Sequence, residues 1–130
     1  MVRIAVGDSY DRHFLGAVVS SSATRHFVAQ RASAVALVVL GLWFAGSISG
    51  LDSLQHAVVL AFLSEPFNSV LLALLCATLA YHSYLGVQVV IDDYVHAQRL
   101  NWISLLASRV MHLLVGLVSI FTIYDIGFGA

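Results

Sequence analysis

Apolar residues along this chain gather in long blocks separated by short polar connections. Three blocks are long enough to matter: about residues 27–48, 68–91 and 102–127. The hydrocarbon core of a bilayer is about 30 Å thick, and a helix needs roughly 20 apolar residues to cross it. Each block meets that length and is apolar on most sides, as a helix facing lipid or another protein must be. The pattern predicts an all-α membrane protein with three transmembrane helices in one domain, residues 1–130, preceded by a tail over residues 1–24. The first connection, Ser49 to Phe67, contains an apolar stretch from Leu54 to Leu63 that is too short to span, which predicts a short interfacial helix between spans one and two. The second connection, Asp92 to Asn101, is a tight polar turn, so spans two and three are expected to be antiparallel neighbours.

Composition strengthens this picture. Hydrophobic residues make up 60% of the chain and charged residues 10%, far below the quarter or so typical of soluble domains. A soluble chain this short could not hide that much apolar surface. The net charge of −1 argues against a nucleic-acid partner and against a polybasic surface role. Lysine is absent, and the arginines sit at Arg3, Arg12, Arg25 and Arg31 ahead of or early in span one, at Arg99 in the second connection, and at Arg109 early in span three. The first connection carries Asp52 and Glu65 without an arginine, and Asp125 lies at the far end of span three. The positive-inside rule then places the N-terminus and the Asp92–Asn101 turn on the cytoplasmic or matrix side. Met1 to Arg12 lacks the apolar core of a secretory signal, and its two acids disfavour a mitochondrial transit peptide. Cys76, alone in an apolar run, reads as a small buried hydrophobe.

Polar residues within the spans carry the candidate chemistry, because such groups are costly in lipid. His82 lies about nine residues into span two from the cytoplasmic side; Gly86 follows one turn later, and Asp93 eleven residues after His82 returns to nearly the same helix face. A deep histidine, a glycine gap and a surface carboxylate on one stripe form a candidate cofactor face, with haem the obvious candidate because imidazole is a common axial ligand. The ordinary alternative is a histidine that bonds a carbonyl or a neighbouring helix. His112 in span three lies at a similar depth, so spacing leaves open both an internal histidine pair and a ligand from another chain. Arg31, preceded by His26 and Gln30, has a planar fork suited to haem propionates or a quinone oxygen; its ordinary role is a snorkelling topogenic charge, as is that of Arg109. Tyr94 sits where interfacial anchors are common, yet its phenol beside Asp92 and Asp93 also suits hydrogen bonding to a quinone carbonyl. His56 and His96 read as interfacial, solvated residues.

The stretch from His82 to His96 (HSYLGVQVVIDDYVH) resembles the signature of the hydrophobic membrane anchor of succinate dehydrogenase, its D-type anchor. In that signature a glycine lies four residues after a histidine and an Asp-Tyr pair eleven and twelve residues after it; His82, Gly86, Asp93 and Tyr94 match. Arg25 to Leu37 (RHFVAQRASAVAL) is similar to the start of span one in alphaproteobacterial and mitochondrion-related members, with Ser33 where threonine is usual. The resemblance covers about residues 24 to 128. It implies a protein that pairs with a second membrane anchor of the cytochrome b556 type. Together they would hold a haem b and dock an iron–sulfur subunit and a flavoprotein subunit. It further implies His82 as this chain's axial haem ligand, with the second ligand from the partner anchor and not from His112. Tyr94 would bond the ubiquinone carbonyl with support from Asp93, and Arg31 and His26 would lie near the haem propionates. The expected location is a bacterial inner membrane, as a multi-pass protein.

Three other readings compete. The chain would be a cofactor-free structural anchor if His82 and Tyr94 kept their ordinary roles. A fumarate reductase-type anchor would share its plan, since the direction of the reaction is not written in the spans. A transporter component is disfavoured, because the spans show neither paired helix breaks nor a ladder of acids.

Overall fold

The computed structural model describes the backbone of residues 7–128 and the side chains of residues 23–128. The described chain is entirely helical: α1 (Gly7–Ser49), α2 (His56–Ser64), α3 (Pro66–Tyr94) and α4 (Gln98–Phe128). Three helical stretches are long and apolar enough to cross a membrane: Ala23–Ser49, Pro66–Tyr94 and Gln98–Phe128. These are the three spans that hydropathy predicts, and α2 is the short helix expected between the first two.

α1 begins well before its apolar block. Its 43 residues correspond to about 65 Å, roughly twice the hydrocarbon thickness, so a long stretch must project beyond the bilayer. The tail of residues 1–24 is thus helical from Gly7 onward; residues 1–6, with Arg3, lie outside the described part, and so does the side chain of Arg12. Between Gly7 and Ser49 there is no proline, and a helix already nucleated in the span propagates at little cost per residue. At the other end α1 stops where Gly50 N–H bonds the carbonyls of Gly46 and Ser47 at 3.1 and 3.2 Å.

The sharp elbow between α2 and α3 is set by Pro66, which occupies the first turn of α3, where its missing N–H costs nothing. Glu65 carries an extended backbone and separates the two helices. Asn68 Nδ2 donates to the Phe62 carbonyl at 3.1 Å, and the Ser69 hydroxyl donates to the Leu63 carbonyl. Both satisfy carbonyls left free at the end of α2.

The helices pack α3 on α4, α1 on α3, and α2 on both α3 and α4. α1 reaches α2 through the stacked rings of Trp43 and Phe62, 6.4 Å between centroids. The interior is slight. Among the described residues, the hydrophobic core proper is Leu40, Leu85 and Ile123, while large side chains such as Leu42, Phe67, Trp102 and Phe121 are exposed. A water-soluble fold could not tolerate this, and it is what lipid and neighbouring proteins require.

Close approach is concentrated at small residues. Gly116 of α4 is buried, and a Cβ there would sit 3.4 Å from the Ala80 Cβ of α3. Gly127 is tighter: a Cβ there would lie 2.6 Å from Ser69 Oγ and 3.0 Å from the Leu63 carbonyl oxygen, so α4 ends against the elbow itself. Gly127→Val should force the elbow and the end of α4 apart. The expected loss is about 1–3 kcal/mol, typical of overpacking, and is to be read as a lower thermal midpoint of the detergent-solubilised protein. Gly41→Val, at a position with nothing within 4 Å of the new Cβ, is the control.

Candidate functional site

α3 carries polar side chains on two faces, and each face meets a different helix. On the first, His82 points at α1. Its Nδ1 lies 2.8 Å from the Ser33 hydroxyl oxygen, and that hydroxyl also lies 3.0 Å from the Gln30 carbonyl one turn earlier. Ser33 is 7% exposed and His82 half-buried. Ser33 and Leu40, two turns apart, mark the face of α1 turned inward. The Nε2 of His82 has no partner among the described residues and is not enclosed. One turn along α3, a Cβ at Gly86 would meet nothing within 4 Å, so the space beside the histidine is open. A separate open groove of about 470 Å³ between α1 and α3 is lined by Ala29, Ala32, Ser33, Ala36, Thr78 and Tyr81, among others, and includes neither His82 nor Gly86.

The second face of α3 meets α4 in a closed network. Among the described residues, His112 uses both ring nitrogens: Nδ1 donates to the Ser108 carbonyl at 2.7 Å, and Nε2 lies 3.1 Å from the Ser83 hydroxyl. The Tyr84 ring stands edge-on to His112 at 6.1 Å between centroids. Arg109 donates from Nε and Nη2 to the Tyr84 hydroxyl at 3.3 and 3.1 Å, with its guanidinium carbon 5.7 Å from that ring's centre. Ser83 and Tyr84 lie about 100° and 200° around α3 from His82. The structure therefore does not bring His82 and His112 together, and an internal histidine pair is not formed.

At the arginine-bearing end, α3 finishes at Tyr94, which is 79% exposed. Asn101 ties the turn: its side-chain amide donates to Asp92 Oδ1 and to the Val95 carbonyl, both at 3.2 Å. Asp92 is thereby engaged, while Asp93 and the Tyr94 phenol have no partner among the described residues. His26 lies two turns before Ser33 on the same face of α1, and its Nε2 is enclosed without a hydrogen-bond partner. Arg31 is exposed, about 200° around α1 from Ser33, with its guanidinium 5.1 Å over the Phe27 ring. Within this chain it is not brought to His82.

No group of three or more His, Cys, Asp or Glu side chains gathers among the described residues. Any metal at His82 would have to take its remaining ligands from a bound group or another chain.

The sequence matches the model of the succinate dehydrogenase/fumarate reductase transmembrane subunit over residues 12–124. The chain belongs to that family. It is similar to the succinate dehydrogenase hydrophobic membrane anchor subunit of Rickettsia bellii, 28% identical over 95 residues, covering 73% of this chain and 76% of that one. The corresponding protein of Rickettsia felis is 30% identical over 81 residues, covering 62% and 68%. That of Rickettsia prowazekii is 29% identical over 82 residues, covering 63% and 66%. As a succinate dehydrogenase anchor of alphaproteobacterial type, the chain is a multi-pass membrane protein.

In this anchor two contacts between helices are not visible in the sequence. Ser33 stands out there as a substitution for threonine and as a hydroxyl among the alanines of span one, neither of which names His82 as its partner, and the pairing of Arg109 with Tyr84 crosses two helices at a spacing no motif records. Tyr84→Phe should leave the Arg109 guanidinium without its acceptor inside the span. The expected destabilisation is about 1–2 kcal/mol, measured by thermal unfolding of the solubilised protein.

Proposed function

We propose that this chain is the membrane anchor of a succinate:ubiquinone oxidoreductase in a bacterial inner membrane. In this reading it shares a haem b with a second anchor of the cytochrome b556 type, and helps form the ubiquinone-reduction site fed by the iron–sulfur subunit. Succinate is oxidised in the flavoprotein subunit, since the anchor has no succinate chemistry of its own. The observation that carries the haem assignment is at His82: one ring nitrogen is held by Ser33, and the other is free beside the open space at Gly86. The residues fit the group. A ligating histidine needs its second nitrogen held by the protein, as Ser33 holds Nδ1, and a macrocycle needs a gap in the helix surface, as at Gly86. His26 and Arg31 are the side chains proposed for the propionate region, His26 by a turn of its ring that uncovers its enclosed Nε2 and Arg31 through a longer reach.

When bound, the haem supplies a one-electron redox centre within the membrane. The chain's own part is to hold the imidazole, to leave the Gly86 surface open, and to keep the His112 network closed. At the quinone, the Tyr94 phenol donates a hydrogen bond to a carbonyl oxygen, favouring electron arrival by stabilising the charge that develops there. Asp93 beside it is a proton relay to the aqueous side; quinone reduction consumes two electrons and two protons. Lipid and the partner anchor cover the exposed apolar faces. A fumarate reductase-type anchor is the second reading, because the family description covers both enzymes. The Asp93–Tyr94 pair favours the ubiquinone-reducing direction.

In the purified complex, His82→Ala should remove or shift the reduced-minus-oxidised b-type spectrum, whereas His112→Ala should leave it in place. A wild-type complex without such a spectrum refutes the haem assignment. Tyr94→Phe should lower ubiquinone reduction by about tenfold or more, the effect of losing roughly 1.4 kcal/mol of transition-state stabilisation. Succinate oxidation with an artificial acceptor should persist; equal loss of both activities refutes the role of Tyr94.

A further inference from the structure

We infer that Ser33 is the positioning residue that fixes His82 in the tautomer with its proton on Nδ1 and a bare, outward-facing Nε2. The inference rests on the proposed role of His82 and states what prepares it.

Ser33 has one hydroxyl proton and two neighbours within hydrogen-bond distance, the Gln30 carbonyl at 3.0 Å and His82 Nδ1 at 2.8 Å. A carbonyl only accepts. Both contacts are satisfied together in one way: the Ser33 hydroxyl donates to Gln30, and the Ser33 oxygen accepts from Nδ1–H. The reverse arrangement, with Ser33 donating to a bare Nδ1, would give up the carbonyl contact. At 7% exposure in a membrane span, Ser33 has no water to replace a lost partner. With Nδ1 protonated, the neutral ring carries its lone pair on Nε2, the atom that has no partner among the described residues.

His112 shows that this arrangement is not a generic property of histidines in these helices. It has the same tautomer by the same logic, because Nδ1 faces the Ser108 carbonyl at 2.7 Å. Its Nε2, however, is capped by the Ser83 hydroxyl at 3.1 Å. Two histidines at similar depth thus differ in what meets Nε2: a hydroxyl in one, no described residue in the other. A serine oxygen is also a weaker acceptor than a carboxylate. It orients the ring while drawing little on its proton, which leaves its donation to a bound metal moderate.

Threonine and valine have the same shape and differ in the hydroxyl, so Ser33→Thr and Ser33→Val separate the hydrogen bond from the volume of the side chain. In the purified complex, Ser33→Thr should keep the wild-type haem content, midpoint potential and low-spin resonance signal. Ser33→Val should raise the midpoint potential, spread the resonance signal over several ring orientations, and weaken haem retention by about 10- to 100-fold, the usual cost of removing such an outer partner. Identical potentials and signals in the two variants overturn the inference. Nitrogen resonances of the histidine-labelled complex prepared without haem give a readout independent of haem: the inference requires a proton on His82 Nδ1 in the wild type and a mixture of the two tautomers in Ser33→Val, and a proton on Nε2 in the wild type or an unchanged tautomer in Ser33→Val overturns it. If His82→Ala leaves the haem spectrum untouched, the ligand assignment fails by itself, and the nitrogen resonances still decide the tautomer.

Discussion

Lipid offers no hydrogen bonds, and the architecture of this anchor follows from that deficit. Every backbone polar group in a span must be satisfied within its helix, and every polar side chain must find an acceptor or donor close by. The solitary hydroxyls take the nearest solution and bond back to the preceding turn: Ser49 to Ala45, Thr78 to Leu74, Ser119 to Val115 and Thr122 to Val118, at 2.7–2.9 Å. Larger polar groups cannot be satisfied that way. His82, His112, Tyr84 and Arg109 each reach across to another helix, and those reaches are what lock the rotation of α3 against α1 and α4. Apolar packing adds little direction in a membrane, so these few polar contacts set the register that the small buried core could not set alone.

The same rule separates structural from functional groups. A histidine whose two nitrogens are both engaged has met its obligations inside the protein, as His112 has. A histidine with one nitrogen spare has an obligation outstanding, and something outside this chain is expected to meet it. His82 Nε2, the Tyr94 phenol and the Asp93 carboxylate fall in this second group, the first within the span and the other two at the arginine-bearing end of α3.

Much of this was legible in the sequence. The three spans and the short α2 followed from block length, because hydropathy is a one-dimensional property that survives without knowledge of packing. The His82–Gly86–Asp93 stripe followed from helical repeat within one element. Contacts between elements were not legible, because rotating α1 by one residue would replace Ser33 with an alanine opposite His82, and no composition or period fixes that angle. The helical run of α1 ahead of its apolar block was hidden for a different reason: hydropathy reports where lipid begins, not where the helix does. Arg109 illustrates both problems, since a charge near the start of a span reads as a snorkelling residue until its partner on the neighbouring helix is known.

α1 meets α3 along one seam, with a ring contact to α2 near its far end, and Ser33 lies on that seam. During synthesis α1 enters the membrane first and has no other span to pack against until α3 follows, and His82 comes 49 residues after Ser33. Until the two helices meet, the ring of His82 is free to turn and to carry its proton on either nitrogen. The fixed orientation of the imidazole is therefore a product of tertiary assembly, and a nascent or half-inserted chain lacks it.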